Sequence, residues 1–397
     1  MAIRKNNAFG HDEIADFVYL DHAASTPMRQ EAIDAMTPFM SGIYANPSGS
    51  HRFSRIARKA IDEARDDVAE ILGCKAGEVV FTSGGTEGDN AAIFGAARRK
   101  SGIAVCPASE HHAVLHCVEN LKGQIVGVDA TGVVDLVALE RTLQEAQIGG
   151  HVSVVSVMAV NNEVGSISPM RQIAKIVRAN APDAVLHTDA VQATCWQDLR
   201  EISKLVDILS ISAHKFGGPK GMGVTMQRLG LDIEPLIVGG GQERERRSGT
   251  HNVAGIMATA AALRVTDETR EMEVARVTKL RDALVDGVID QVEDVVETVP
   301  RAKRVAGIAH LCVGGCESES LLYLLDEAKV CASAASACAS GAMEPSHVLM
   351  AMGVDRKYSM GAVRMSLGHT TNESEIERAI VALGGAVRQL RSNKIKV

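Results

Sequence analysis

The chain has 397 residues, with 46% hydrophobic and 23% charged side chains, a balance that suits two or more packed domains and excludes a disordered polypeptide. Its 42 Lys+Arg against 49 Asp+Glu leave a net charge of −7, which argues against nucleic acid or an anionic membrane as the main partner. The opening segment MAIRKNNAFGHDEIADFVYL has no apolar signal core, no stretch approaches the ~20 apolar residues of a membrane span, and the expected location is cytoplasmic. The eight cysteines include no CxxC pair, so a disulfide framework and a metal site are not expected.

Residues 54–228 alternate helical stretches with short apolar runs. The segment SRIARKAIDEARDDVAEILG carries Ala57, Ala60, Ile61, Ala64, Val68, Ile71 and Leu72 at three/four spacing, and Gly73 is placed to end the helix. Then come EVVF as a strand, TEGDNAAIFGAARR as a helix, GIAVC as a strand and HHAVLHCVENL as a helix. HVSVVSVM follows as a strand, PMRQIAKIVRAN as a helix, and AVLHT and DILSIS as strands. Such alternation predicts an α/β domain with a mostly parallel sheet covered on both faces. After about residue 265 a long helical stretch runs through Asp294, followed by the apolar run IAHLCV, the helix ESESLLYLLDEA, the run AVRMSLG and the closing helix NESEIERAIVALGGAVRQL. The change of pattern divides the chain into a large α/β domain, residues 27–265, and a smaller α+β domain of residues 1–26 and 266–397.

The string DILSISAHKFGGPKGMG delivers Ser212, His214 and Lys215 from an apolar strand into a glycine-rich turn. Desolvation at a strand mouth lowers a lysine's pKa and yields the nucleophilic amine that a Schiff base requires; the alternative is a solvated strand-end lysine. TSGGTEGDN, residues 82–90, lies between a strand and a helix, and its glycines with Thr86 at the helix start suit a phosphate, although many strand-to-helix turns look similar. It matches neither GxGxxG nor the P-loop pattern. In AVLHTDAVQA, Asp189 follows an apolar strand with Gln192 three residues on. A carboxylate there can keep a pyridinium nitrogen protonated, and it can equally serve as a helix cap. Phosphate cradle, acid and lysine would meet at the carboxyl edge of one sheet, where open α/β sheets place ligands.

In order along the chain stand VYLDHAASTP, NPSGSHRF, FTSGGTEGDN, SEHHAV, VNNEVGSI, HTDAVQA, SAHKFGGPKG, GGGQERERRSGT, SACASGAMEPSHVL and RMSLGHTT. With these the chain resembles the fold type I pyridoxal 5'-phosphate enzymes, class V aminotransferases, and within them the cysteine desulfurases of the NifS/IscS kind. The resemblance implies that Lys215 is the lysine that binds the cofactor, that Asp189 pairs with its ring nitrogen and that Gln192 meets its phenolic oxygen. It implies that His111 stacks on the ring and handles protons. Gly85, Thr86, Ser212 and His214 would hold the phosphate, with Thr250 reaching in from a second subunit of a homodimer. Asn162 would contact cofactor or substrate, and Arg364 would clamp the substrate carboxylate. Taken singly, Arg364 could be a surface cation and His111 a loop histidine.

The same resemblance makes Cys338 the persulfide-bearing cysteine. It lies in AASACASGAMEPSH, a run of small residues that suits a mobile segment carrying an exposed thiol. Cys106, Cys195, Cys312 and Cys316 read as packing thiols, and Cys331, at an expected strand end, is the competitor. Where many relatives carry Ser, Gly and Thr this chain has Ala334, Ala335 and Ala339, which bears on turnover, and His369 replaces an arginine found in some. The stretch after Cys338 suits the long-loop branch, which hands sulfur to several acceptors. The implied reaction takes L-cysteine to L-alanine with sulfur left on Cys338, for an iron–sulfur scaffold or a thiolation enzyme. A selenocysteine lyase or another small-amino-acid enzyme of fold type I is the alternative, and it would have no need of Cys338.

Overall fold

The computed structural model describes residues 16–334 and 345–394. Strand β1 (Val18–Tyr19) is followed by α1 (Gln30–Ser41) and α2 (Arg52–Leu72). Gly73 caps α2 in the left-handed conformation expected of it, at φ 62°. Next come β2 (Val79–Thr82), α3 (Gly85–Arg99), β3 (Ile103–Pro107), α4 (His112–Asn120), β4 (Gln124–Val126), α5 (Leu136–Gly149), β5 (Val152–Ser156) and α6 (Met170–Asn180). Strand β6 (Val185–Asp189), α7 (Leu199–Ser203), β7 (Ile208–Ser212) and β8 (Gly223–Gln227) complete a seven-stranded sheet in the order β2-β8-β7-β6-β5-β3-β4. Only β8 runs against its neighbours; the other pairings are parallel.

Strands buried on both faces read as unbroken apolar runs, because alternate residues point to opposite sides. Val155, Leu186 and Leu209 pack under α2 and α6, while Val154, Val185 and Ile208 pack under α3 and α4. That alternation explains why VSVVS and ILSIS are legible as strands although every residue in them is buried.

Helix α8 (Val253–Gln291) is a single 39-residue helix. Its first half packs Ile256, Ala260 and Leu263 into the core around the large sheet. Its second half packs Leu280, Leu284 and Val288 into another cluster, with the antiparallel strands β9 (Val295–Glu297) and β10 (Ile308–Val313) beyond it. Helix α9 (Ser318–Glu327), β11 (Val330–Cys331), α10 (His347–Ala351), α11 (Arg356–Ser359), β12 (Ala362–Ser366) and α12 (Glu373–Lys394) follow. Residue 265 therefore lies inside a continuous helix, and the helical stretch expected to run through Asp294 ends at Gln291. Strand β1 pairs with β11, and its continuation carries Asp21–Thr26 across to the end of β7. That crossing brings the N-terminal segment into the site.

Candidate active site

Three strands and one helix converge at the carboxyl edge of the sheet. Asp189 ends β6, Ser212 ends β7, and a 3-10 turn over Ala213–Lys215 carries the lysine past the strand mouth. Helix α3 begins at Gly85, three residues beyond Thr82 at the end of β2. A Cβ on Gly85 would lie 2.8 Å from Val191 Cγ2, so the close approach of helix start and β6 turn requires glycine. A cavity of about 260 Å³ opens there. Gly85, Thr86, His111, Asn162, Asp189 and Gln192 border it, as do Ser212, His214, Lys215 and Arg364.

Lys215 is half-buried, and its Nζ donates to Ala23 O at 2.6 Å and Ala24 O at 3.0 Å. Burial and then Arg364 push its amine down to about 8, against the pull of Asp189 and Asp21. A freely solvated lysine is ruled out. Asp189 is 6% exposed and accepts Val191 N–H at 2.8 Å, so it caps a turn and faces the cavity at once. Its carboxyl is pushed up to about 7 by burial and by Asp89, with His111 opposing. Ser212 Oγ meets His214 Nδ1 at 3.0 Å, and burial followed by Lys215 holds that imidazole down at about 4. Gln192 donates through Nε2 to Ala23 O at 2.8 Å.

His111 caps α4 by accepting Ala113 N–H at 3.1 Å while its ring borders the cavity. Burial lowers its pKa, Asp189 pulls the other way, and Lys215 adds to the lowering. Arg364 is no surface cation: it is 4% exposed, donates to Asn162 O at 2.9 Å and Asp21 Oδ1 at 2.8 Å, and leaves Nε without a partner among the described residues. A buried guanidinium with an unmatched N–H beside a cavity is suited to a ligand carboxylate. Thr250 is exposed and does not border this cavity. Cys338 lies outside the described residues. Cys106 and Cys312 are buried, as packing thiols should be, and Cys331 is partly buried at the end of β11.

Sequence reasoning passed over Asp89, Glu110 and the turn from Asp21 to Ala24. Asp89 is 1% exposed, borders the cavity and stands 3.4 Å from His187 Nε2; burial pushes its carboxyl up to about 7. Burial also raises Glu110, which accepts Met158 N–H at 2.6 Å. A single polar letter in an apolar run carries no sign of how deeply it will be buried. Asp21 carried no local signal either: it lies just before Ala23 and Ala24, whose carbonyls hold Lys215 only in the folded chain.

A phosphorylated pyridine aldehyde fits these groups. Among the described residues Asp189 is a buried carboxylate without an ion-pair partner, suited to a ring N–H⁺. The amine of Lys215 is depressed toward its nucleophilic form, and the start of a 15-residue helix offers backbone N–H groups for a phosphate. Among the described residues no helix is long and apolar enough to cross a membrane.

The sequence matches the family described as Aminotransferase class-V over residues 18–379. It is 40% identical over 383 residues to the cysteine desulfurase IscS of Dictyoglomus turgidum, across 94% of this chain and 95% of that one. To an IscS-like cysteine desulfurase of Mycobacterium tuberculosis it is 41% identical over 386 residues, across 94% and 97%. The structure is similar to a solved NifS-like protein, with TM-score 0.86 and 33% identity over 94% of this chain and 99% of that one.

Proposed function

Because the chain belongs to the class-V aminotransferase family, and within it to the cysteine desulfurases, we propose that it removes sulfur from L-cysteine, releases L-alanine and carries the sulfur as a persulfide on Cys338. The observation that carries this reading is the meeting of Lys215, Asp189, the α3 start and Arg364 around one cavity. Pyridoxal 5'-phosphate, when bound, supplies an electron sink for the substrate's α-carbon.

The residues divide the rest of the work. Arg364, braced by Asp21 and Asn162 O, takes the substrate carboxylate and so fixes the α-carbon. Asp189 would keep the ring nitrogen protonated, Gln192 and His111 would hold the ring, and Gly85, Thr86, Ser212 and His214 would seat the phosphate. Lys215 would hold the cofactor and would accept the substrate's α-proton at Nζ; its depressed pKa makes it a competent base near neutrality. The Cys338 thiolate attacks the substrate sulfur, the carbon–sulfur bond breaks, and the electron pair stays with the carbon fragment, which gains a proton and leaves as alanine.

A cytoplasmic homodimer is part of this proposal. Thr250, exposed on the single chain, supports a role in a second subunit's site, and persulfide chemistry suits a reducing compartment. The acceptor would be an iron–sulfur scaffold or a thiolation enzyme. Large α/β and small α+β domains, 27–265 and the remainder, would carry the cofactor and the cysteine segment respectively.

Incubating the purified protein with L-cysteine should yield alanine and add one sulfur to the peptide bearing Cys338. Cys338→Ser should abolish sulfide release in the presence of reductant. Undiminished release from that variant would favour the selenocysteine lyase or another small-amino-acid enzyme.

A further inference from the structure

Residues 242–251 form an arm whose backbone side chains ordinarily avoid. Glu243, Arg244 and Glu245 have φ of 50°, 56° and 65°, three consecutive left-handed residues none of which is glycine. One carboxylate holds this turn. Glu243, 6% exposed, accepts Arg65 Nη1 at 2.8 Å, Arg65 Nη2 at 2.5 Å, Phe81 N–H at 2.9 Å and His251 Nε2 at 2.8 Å. Burial alone would raise its pKa, but Arg65, then His251 and the Phe81 N–H, outweigh burial and hold the carboxyl at about 2. Glu243 lies at the start of the arm, next to Gln242, and His251 closes it, so this carboxylate pins both ends.

Two further tethers fix the middle. Arg247 donates Nε to Glu87 Oε1 at 2.9 Å and Nη2 to Glu87 Oε2 at 3.2 Å, and Glu87 also accepts Ser83 N–H at 3.0 Å. Glu87 stands next to Thr86 in the first turn of α3, the proposed phosphate cradle of the same chain. Gln242 Oε1 accepts Gly249 N–H at 2.8 Å. Thr250 lies at the exposed end of this braced loop.

We propose that Glu243, assisted by Arg247, is a positioning residue that preorganises the Thr250 hydroxyl for the cofactor phosphate of a second copy of the chain. The inference rests on the reading that Thr250 serves a neighbouring subunit. A hydroxyl on a slack loop would have to be ordered when the phosphate binds; the strained turn and its carboxylate hub order it during folding. This accounts for three residues held where their Cβ atoms are unfavourable: the strain persists because the hub over-determines it.

The test is a double-mutant cycle on the full-length apo protein, with pyridoxal 5'-phosphate affinity read by fluorescence titration. Glu243→Gln should weaken binding about tenfold, as expected for losing one charge-assisted contact's worth of organisation. Thr250→Ala should weaken it similarly, and the pair together should be little worse than either alone. Pyridoxal, which lacks the phosphate, should bind wild type and Glu243→Gln alike, and hydrogen exchange at the Gly249 amide should quicken in Glu243→Gln. If Glu243→Gln costs the same factor with Thr250→Ala present, or weakens pyridoxal equally, the positioning role is overturned. If Thr250→Ala alone leaves phosphate affinity unchanged, the reading of Thr250 fails and takes the inference with it. Should Glu243→Gln not fold, Arg247→Gln severs only the tether to Glu87 and goes through the same cycle, with the same results overturning it.

Discussion

Replacing Asp189 with asparagine should stabilise the cofactor-free protein while weakening its hold on the cofactor. Asp189 is 6% exposed, and burial, reinforced by Asp89, lifts its carboxyl from 3.8 to about 7. The unfolded chain keeps the ordinary value, so the folded state prefers the protonated form. That preference favours folding fully below about pH 4 and is lost as the pH rises through about 7, where the buried group must ionise. About three units at ~1.36 kcal/mol each set a ceiling of ~4 kcal/mol, and relaxation around the charge brings the expectation to roughly 2–4 kcal/mol. Asparagine keeps an oxygen for the Val191 N–H, which Asp189 accepts at 2.8 Å. Urea denaturation of both apo proteins, followed by Trp196 fluorescence, should therefore show Asp189→Asn the more stable near pH 8, with the gap narrowing toward about pH 4. Adding pyridoxal 5'-phosphate should reverse the order, since only the carboxylate gains a cationic partner. An apo variant no more stable than wild type near pH 8 would refute the claim that this carboxylate is a buried charge awaiting its counterion.

Two other outcomes follow from the same geometry. Because burial and Arg364 bring Lys215 down to about 8 from 10.5, the rate at which apo protein captures the cofactor should rise with pH and level off just above 8; a rate still climbing past 10.5 would mean an ordinary lysine. Arg364→Lys keeps the charge but loses the planar fork braced by Asp21 and Asn162 O, so KM for L-cysteine should rise about 10- to 100-fold with kcat changed far less. Steady-state kinetics checks this, and an unchanged KM would remove Arg364 from substrate binding.

The parts of the molecule legible in its letters were those governed by local pattern. Ile173, Ala174 and Val177 announce α6, and Gly73 marks the end of α2, because periodicity and a left-handed cap are written within a few residues. Helix α1 was hidden by Pro38 within it, and β8 by the glycines that precede it. Helix α5 was readable and passed over: Asp135 caps it by accepting two N–H groups, and Leu139, Leu143 and Ala146 form its buried face. At the site, Lys215 and Asp189 stood out because both follow apolar runs. Asp21 and Glu243 did not, since their partners Arg364 and Arg65 are 343 and 178 residues away, and such pairings are properties of the fold alone.

The bare chain buries polar groups whose bonding capacity its own fold leaves partly unmet. Among the described residues Asp189 has no cation and Glu110 keeps a buried oxygen without a hydrogen-bond partner, while Arg364, though paired with Asp21, keeps an unmatched Nε. Each would be expensive in an ordinary core. Around one cavity the imbalance has direction: in the proposed function a ring cation would answer Asp189, and a substrate carboxylate would answer Arg364. Ligand binding thereby supplies stability that folding forgoes, which couples occupancy of the site to the integrity of the protein. The same logic extends to the arm at 242–251, where strain is contained within one chain and the exposed Thr250 would, in the proposed dimer, gain its partner on assembly.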